Sequence, residues 1–346
     1  MKTKNVITTG IGSLPHTDPV RAAEIVVNGF DIPFLLQLPK RNFRESMYIQ
    51  YSEGLPGVIL NQEKQVVYVD MSKENLPEEY ERFYQAVIDN DIDKFCISQD
   101  YAAGIYSVID VLKLYSNKKF HKIKVQVTGP VSFGLTVTDE TGKSILHNEQ
   151  YSDVLVKGLL MKALWQVGFV RKNMPDSRIL AFIDEPYLSA FGSAYVPVSR
   201  EVVVKCINEI ADALHKIDVE VGIHCCGNTD WSILMDTSID VLSFDAYNYF
   251  ETLLLYKSKL AEFITSGRKL AWGIVPSNND VIADAVVELK QRINHGIEVL
   301  ASKGIDKDII MENIIITPSC GLGSLEPVRS ENIVNLINEL KIELQK

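Results

Sequence analysis

No stretch of this 346-residue sequence approaches the roughly 18 uninterrupted apolar residues that a membrane span needs, which excludes a bundle of membrane-spanning helices. The opening MKTKNVITTGIGS carries no apolar block of the kind that directs secretion. Cysteine is sparse and odd in number, five in all, so the chain does not read as the paired disulfide framework of a small secreted protein. These absences point to a reducing, cytoplasmic setting in which thiols stay available. Positive charge is also short, with 35 Lys and Arg against 45 Asp and Glu. Nucleic acid is therefore excluded as the main partner, because most of the surface would repel a phosphate backbone. No repeat, low-complexity tract or linker divides the chain. It reads as a single catalytic domain over 1–346, and at 46% hydrophobic residues it can bury its own core.

What is present is a regular alternation. Short apolar runs end in Gly, Pro, Asp or Cys: Val6 to Gly12, Pro33 to Leu38, Ile123 to Thr128, Ile179 to Asp184, Val219 to His224, Val241 to Asp245, Leu270 to Val275 and Ile314 to Pro318. Between the later runs lie stretches with apolar residues at i, i+3 and i+4, namely Ser199 to Lys216, Thr229 to Asp236, Leu254 to Ser266 and Val281 to Lys303. Eight such β/α units, with no glycine-rich phosphate loop after the first strand, favour an α/β fold of the closed (β/α)8 barrel type over an open doubly wound sheet. An insertion separates strands two and three. It holds a β excursion, Val66 to Asp70, and a helix from about Pro77 to Asn90, while Phe95 to Ser98 competes for the place of the third strand.

In a barrel of this kind the reactive residues stand at the carboxyl ends of the strands. Here those ends are Gly12-Ser13, Asp184-Glu185-Pro186, His224-Cys225-Cys226-Gly227, Asp245 and Ser319-Cys320-Gly321. His224 and Cys226 are two apart where a strand breaks into a loop, and Cys320 arrives from the last strand at the same mouth. One imidazole and two thiolates on an open face are the donor set of a catalytic zinc ion, with a position left for another ligand. Asp245 is either a fourth ligand or the cap of the following helix. Cys225 points elsewhere, and Cys96 and Cys206, inside apolar patterns, are core residues. Asp184 and Glu185 are the candidate catalytic acids, because two carboxyls after an apolar run call for a task. Lys40, Arg41 and Arg44 form a basic cluster that either holds an acidic substrate or is a solvated loop. His16 either faces the mouth or starts a helix.

Five motifs carry a resemblance: IGSLP (Ile11 to Pro15), QVTGP (Gln126 to Pro130), FIDEP (Phe182 to Pro186), IHCCGNT (Ile223 to Thr229) and TPSCGL (Thr317 to Leu322). In this order they resemble the catalytic half of cobalamin-independent methionine synthase. The histidine motif is also similar to that of the corrinoid-dependent coenzyme M methyltransferases, in the wider uroporphyrinogen decarboxylase-like group. The resemblance implies that His224, Cys226 and Cys320 bind zinc, with Asp245 near the place of a ligand glutamate. It also implies that Ile11, Gly12 and Ser13 hold the acceptor's backbone and that Asp184 binds its amine. The reaction implied is methyl transfer to a small-molecule thiol activated by zinc.

At two places the pattern lapses. Lys40-Arg41-Asn42 stands where the family has Glu-Arg-Asn, and Trp272 to Pro276 lacks the family's catalytic histidine. The amino-terminal half that helps bind folate has no counterpart, so a methylcorrinoid protein joins methyl-folate as the expected donor. A basic residue in place of the glutamate admits an acidic thiol as well as homocysteine. The rival readings are a metal-free decarboxylase on the same barrel and a non-catalytic barrel that captures a thiol or a corrinoid protein.

Overall fold

The computed structural model describes residues 6–115, 120, 122–193, 198–277, 285–312 and 314–346. Among the described residues ten strands follow one another: β1 (Ile7–Thr8), β2 (Val58–Asn61), β3 (Val66–Val69), β4 (Lys122–Thr128), β5 (Thr138–Asp139), β6 (Arg178–Asp184), β7 (Glu220–Cys225), β8 (Val241–Phe244), β9 (Lys269–Val275) and β10 (Ile314–Pro318). Seven of them pair in parallel in the order β1-β10-β9-β8-β7-β6-β4. Parallel strands need crossovers, and helices such as Glu149–Asn173, Arg200–His215 and Ala285–Ser302 supply them, while Pro327–Gln345 follows the last strand. The sequence places the third of these at Val281 to Lys303; its expected first residues lie outside the described ones.

Side-chain alternation sorts each strand into two faces. On the outward face, residues such as Val221, Ile223, Phe244 and Trp272 join the large cluster shared with the helices. On the inward face, Ile32, Leu180, Phe182, Val241, Ala271 and Ile315 pack on one another as a separate small core. Strands β6 and β10 are far apart in the sheet order, so their meeting requires a strongly curled sheet. Close approach inside the curl explains Gly222, where a Cβ would fall 2.0 Å from the Phe182 ring. At the amino-terminal end of the strands, Glu220 on β7 is paired with both Lys122 on β4 and Lys269 on β9. That half-buried charge layer lies at one end of the interior, opposite the carboxyl ends of the strands.

The expected second strand, Pro33 to Leu38, is not a continuous strand. Pro33 has no N–H to donate, and the segment alternates between its neighbours through isolated parallel bridges: Thr9 with Ile32, Phe34 with Lys124, and Ser13 with Gln37. Its hydrogen bonds run both ways, Gln37 N to Gly12 O at 2.9 Å and Leu35 N to Lys124 O at 2.9 Å. The expected first strand is likewise shortened to two residues. The insertion holds the β excursion and helix as expected, the former as an antiparallel β2–β3 hairpin extended by β5, the latter at Leu76–Ile88. Phe95 ends a 3-10 turn, Ile92–Phe95, and the Phe95 to Ser98 run takes no strand's place. Among the described residues no helix is long and apolar enough to cross a membrane.

Candidate metal centre

Strand β7 alternates up to its last residue, so His224 points inward and Cys225 outward. Cys225 is wholly buried in the outer core, with its Sγ 3.6 Å from Gly227 O, and burial pushes its thiol up to about 12. Cys226 lies one residue beyond the strand, where the chain turns, and comes back to the inner side. Cys320 follows β10 in the loop that Ser319 ties to β9 (Ser319 N to Val275 O, 2.8 Å; Ser277 N to Ser319 Oγ, 3.0 Å). Ligand atoms of His224, Cys226 and Cys320 all lie within 4.8 Å of one another.

The three groups perturb one another strongly. The Cys226 thiol is pushed down, chiefly by the hydrogen bond from Cys320 and then by the imidazole of His224, which together outweigh burial. Cys320 is pushed far up by its hydrogen bond to Cys226 and by burial. A divalent ion held between the two sulfurs would favour the ionised form of both. His224 Nδ1 lies 2.9 Å from Ser243 Oγ on β8. Its buried Nε2 makes no well-formed hydrogen bond to N or O among the described residues and stands beside the Cys226 sulfur. With Nδ1–H donating to Ser243, the lone pair of Nε2 is directed at the cluster. The residues fit a soft divalent metal: two sulfurs, one imidazole nitrogen, and an oriented second partner.

Asp245 is the N-cap of the helix Ala246–Leu253. Its Oδ1 accepts from Asn248 N at 2.9 Å and its Oδ2 from Asn248 Nδ2 at 2.7 Å, outside the three-residue group. Of the two options open in the sequence, the capping one is what its oxygens do.

Asp184 ends β6 in register with His224 on β7 and Thr128 on β4, facing inward. It is buried, its Oδ1 has no hydrogen-bond partner among the described residues, and burial raises its carboxyl against the opposing pull of Lys124 and His224. Glu185, expected beside it at the mouth, has another task. Consecutive residues of an extended chain face opposite ways. Fully buried, Glu185 accepts from Val131 N (2.9 Å), Ser132 N (2.7 Å) and Ser132 Oγ (2.6 Å) at the start of the helix Pro130–Thr136. Burial lifts its carboxyl to about 7 in spite of these three donors.

The loop Ile11 to Ser13 lies against the loop that carries Cys320: Leu322 N donates to Ser13 O (3.1 Å) and Gly323 N to Ser13 Oγ (3.2 Å). The basic cluster is already engaged. Lys40 Nζ donates to Leu325 O (2.6 Å) and Glu326 (3.0 Å), Arg41 pairs with the buried Glu45, and Arg44 lies 3.6 Å from Asp100 with its guanidinium over the Tyr101 ring. Lys40 and Arg41, expected to hold an acidic substrate, each have a carboxylate partner within the protein, distant in sequence or one turn away. His16 Nε2 is 3.1 Å from Glu331, which ties it to the last helix. Cys206 is core, as its helical position suggested, and the Cys96 sulfur lies 3.6 Å from the Tyr106 hydroxyl.

Sequence reading missed Lys124. It is fully buried on the inward face of β4, its Nζ donates to Ile11 O, and burial lowers it to about 8. The signal was there: Lys124, Gln126 and Thr128 put three polar side chains on the face of a strand that a barrel turns inward.

No family profile matches the chain. A methionine synthase of Methanocaldococcus jannaschii is 26% identical over 225 residues, which is 64% of this chain and 65% of that protein, so the match spans just under two thirds of the relative. A B12-independent methionine synthase from a Shewanella species, solved with selenomethionine, superposes with a TM-score of 0.57 at 15% identity over 98% of both chains. A methyltransferase from Methanosarcina mazei gives 0.59 at 14% identity over 100% of this chain and 95% of that one. At such identities these two likenesses speak to the fold.

Proposed function

From its kinship in sequence and fold with the cobalamin-independent methionine synthase-like proteins, we propose that this chain is a zinc-dependent methyltransferase acting on a small thiol. The observation that carries the reading is the convergence of His224, Cys226 and Cys320, from strands far apart in sequence, to within 4.8 Å at the open end of the curled sheet. We read the scaffold as one closed (β/α)8 barrel over 1–346, with the bridged Ile32 to Gln37 segment standing between β1 and β4; the bridges on both sides support this.

In this reading His224, Cys226 and Cys320 would hold a zinc ion, which would supply the Lewis acidity that favours the thiolate form of an acceptor thiol at neutral pH. An ordinary thiol, with a pKa of about 8.5, is only a few per cent ionised there. The protein's own residues orient and enclose. Asp184, buried with an unsatisfied oxygen at the same end, takes a cationic group of the acceptor, and the Ile11 to Ser13 loop flanks it. Glu185 supports the helix Pro130–Thr136 and takes no part in the chemistry. The methyl carbon passes to sulfur as its bond to the donor breaks, and that bond's electron pair stays with the donor. The paired state of Lys40 and Arg41 favours an amino thiol of the homocysteine type over a sulfonate. As donor the reading admits a methylcorrinoid partner protein or methyl-folate.

Single-turnover transfer tests it. Methylcobalamin and methyl-tetrahydrofolate are offered with homocysteine and with coenzyme M, before and after chelation. The expected result is methylation of the amino thiol by at least one donor, lost on metal removal and regained with zinc. No product from either donor, or transfer indifferent to chelation, would overturn the proposal.

A further inference from the structure

Cys320 sits in a loop without regular hydrogen bonding, yet a metal ligand has to be held within a few tenths of an ångström. Two clamps flank it. On its amino-terminal side Ser319 is bound to Val275 and Ser277 beyond β9. On its carboxyl-terminal side Leu322 and Gly323 both donate to Ser13, so this second clamp is only as firm as the loop that carries Ser13.

That loop has little sheet to lean on, because β1 is two residues long. It is fixed by backbone bonds with Gln37 (Gln37 N to Gly12 O, 2.9 Å; Leu14 N to Gln37 O, 3.1 Å) together with the polar inward side chains of β4. Lys124 Nζ donates to Ile11 O, and Gln126 Nε2 donates to Gly12 O at 3.3 Å, joined there by the backbone bond from Gln37. The approach is close enough that a Cβ at Gly12 would stand 2.7 Å from Gln126 Nε2. Lys124 is wholly buried, with its ammonium 4.6 Å from the centroid of the Phe182 ring and the carboxylate of Asp184 as the nearby opposite charge. An apolar side chain there would avoid the cost of taking an ammonium out of water. What it could not do is grip a carbonyl.

We infer that Lys124 is a positioning residue for Cys320, acting through Ile11 to Ser13 on the loop that holds one of the two sulfurs. The inference rests on the metal reading above. It predicts that a residue touching no ligand sets the affinity of the site.

The test uses the full chain with zinc and a chromophoric competing chelator, and compares Lys124→Met and Ser13→Ala with the wild type. Alkylation of Cys320 and Cys226 in the metal-free proteins is followed by peptide mass spectrometry. Lys124→Met is expected to weaken zinc binding by roughly 10–100-fold, the range seen for groups that orient ligands, and to speed alkylation of Cys320 selectively. Ser13→Ala, which loses one of the two bonds, shifts both readouts the same way by less. It also carries the test if Lys124→Met does not fold. Folded variants that bind zinc within twofold of the wild type, or that expose both cysteines equally, overturn the role of Lys124 while leaving the metal reading intact. A wild type that binds no zinc removes both.

Discussion

Cys320→Ser is expected to lose the bound metal and, with it, methyl transfer, while the protein stays folded. A serine hydroxyl does not ionise as a thiol does, so Cys226 and His224 would be left as a two-donor set too weak to retain zinc. Zinc content should fall below about 0.2 per chain after metal-replete expression, since intact thiolate sites bind tightly. Transfer should drop by roughly 10³-fold or more: the thiolate fraction is lost, and so is the alignment of sulfur with the methyl carbon. Stability should change little, because Cys320 lies in a partly exposed loop rather than in the core. Metal analysis, single-turnover transfer and a melting curve read the three effects. Full metal and full activity in this variant would reject the ligand assignment.

Asp184→Asn is expected to separate acceptor binding from metal binding. The asparagine has the same shape but no charge, so a cationic group of the acceptor would lose its charge-assisted hydrogen bond in a buried place. A loss of about 3–4 kcal/mol, roughly 10²–10³ in kcat/KM, is expected for an amino thiol. A thiol without an ammonium should be hardly affected, and zinc content should stay at the wild-type level because Asp184 is not among the grouped ligands. Lys124 loses the carboxylate that opposes its desolvation, so some loss of stability accompanies the change. Equal loss for both thiols would mean that Asp184 acts on the chain and not on the acceptor.

The convergence of His224, Cys226 and Cys320 was legible in the sequence because it depends on two local facts, strand parity and where each strand stops. His224 and Cys226 flank a strand end, Cys320 follows the last strand, and a curled parallel sheet brings such ends together. The same parity, carried one residue further, separates Asp184 from Glu185. Reading both acids as mouth residues ignored that neighbours on an extended chain face opposite ways. Other features were not local. Whether Lys40 and Arg41 are available depends on Glu326, nearly the whole chain away, and on a turn that brings Glu45 under Arg41. The Pro33 to Leu38 run had a strand's composition, but Pro33 cannot donate, and the segment shares itself between two neighbours instead of pairing continuously with one. Lys124 was hidden by habit more than by physics, since a lysine in mid-strand on the inward face already asks what it holds.

X-ray absorption at the zinc edge, on the purified protein with and without an amino thiol, bears most directly on the central claim. The account predicts a first shell containing two sulfurs and an imidazole nitrogen, gaining one more sulfur at about 2.3 Å when the thiol is added. A shell without sulfur, or one that the thiol leaves unchanged, would contradict it.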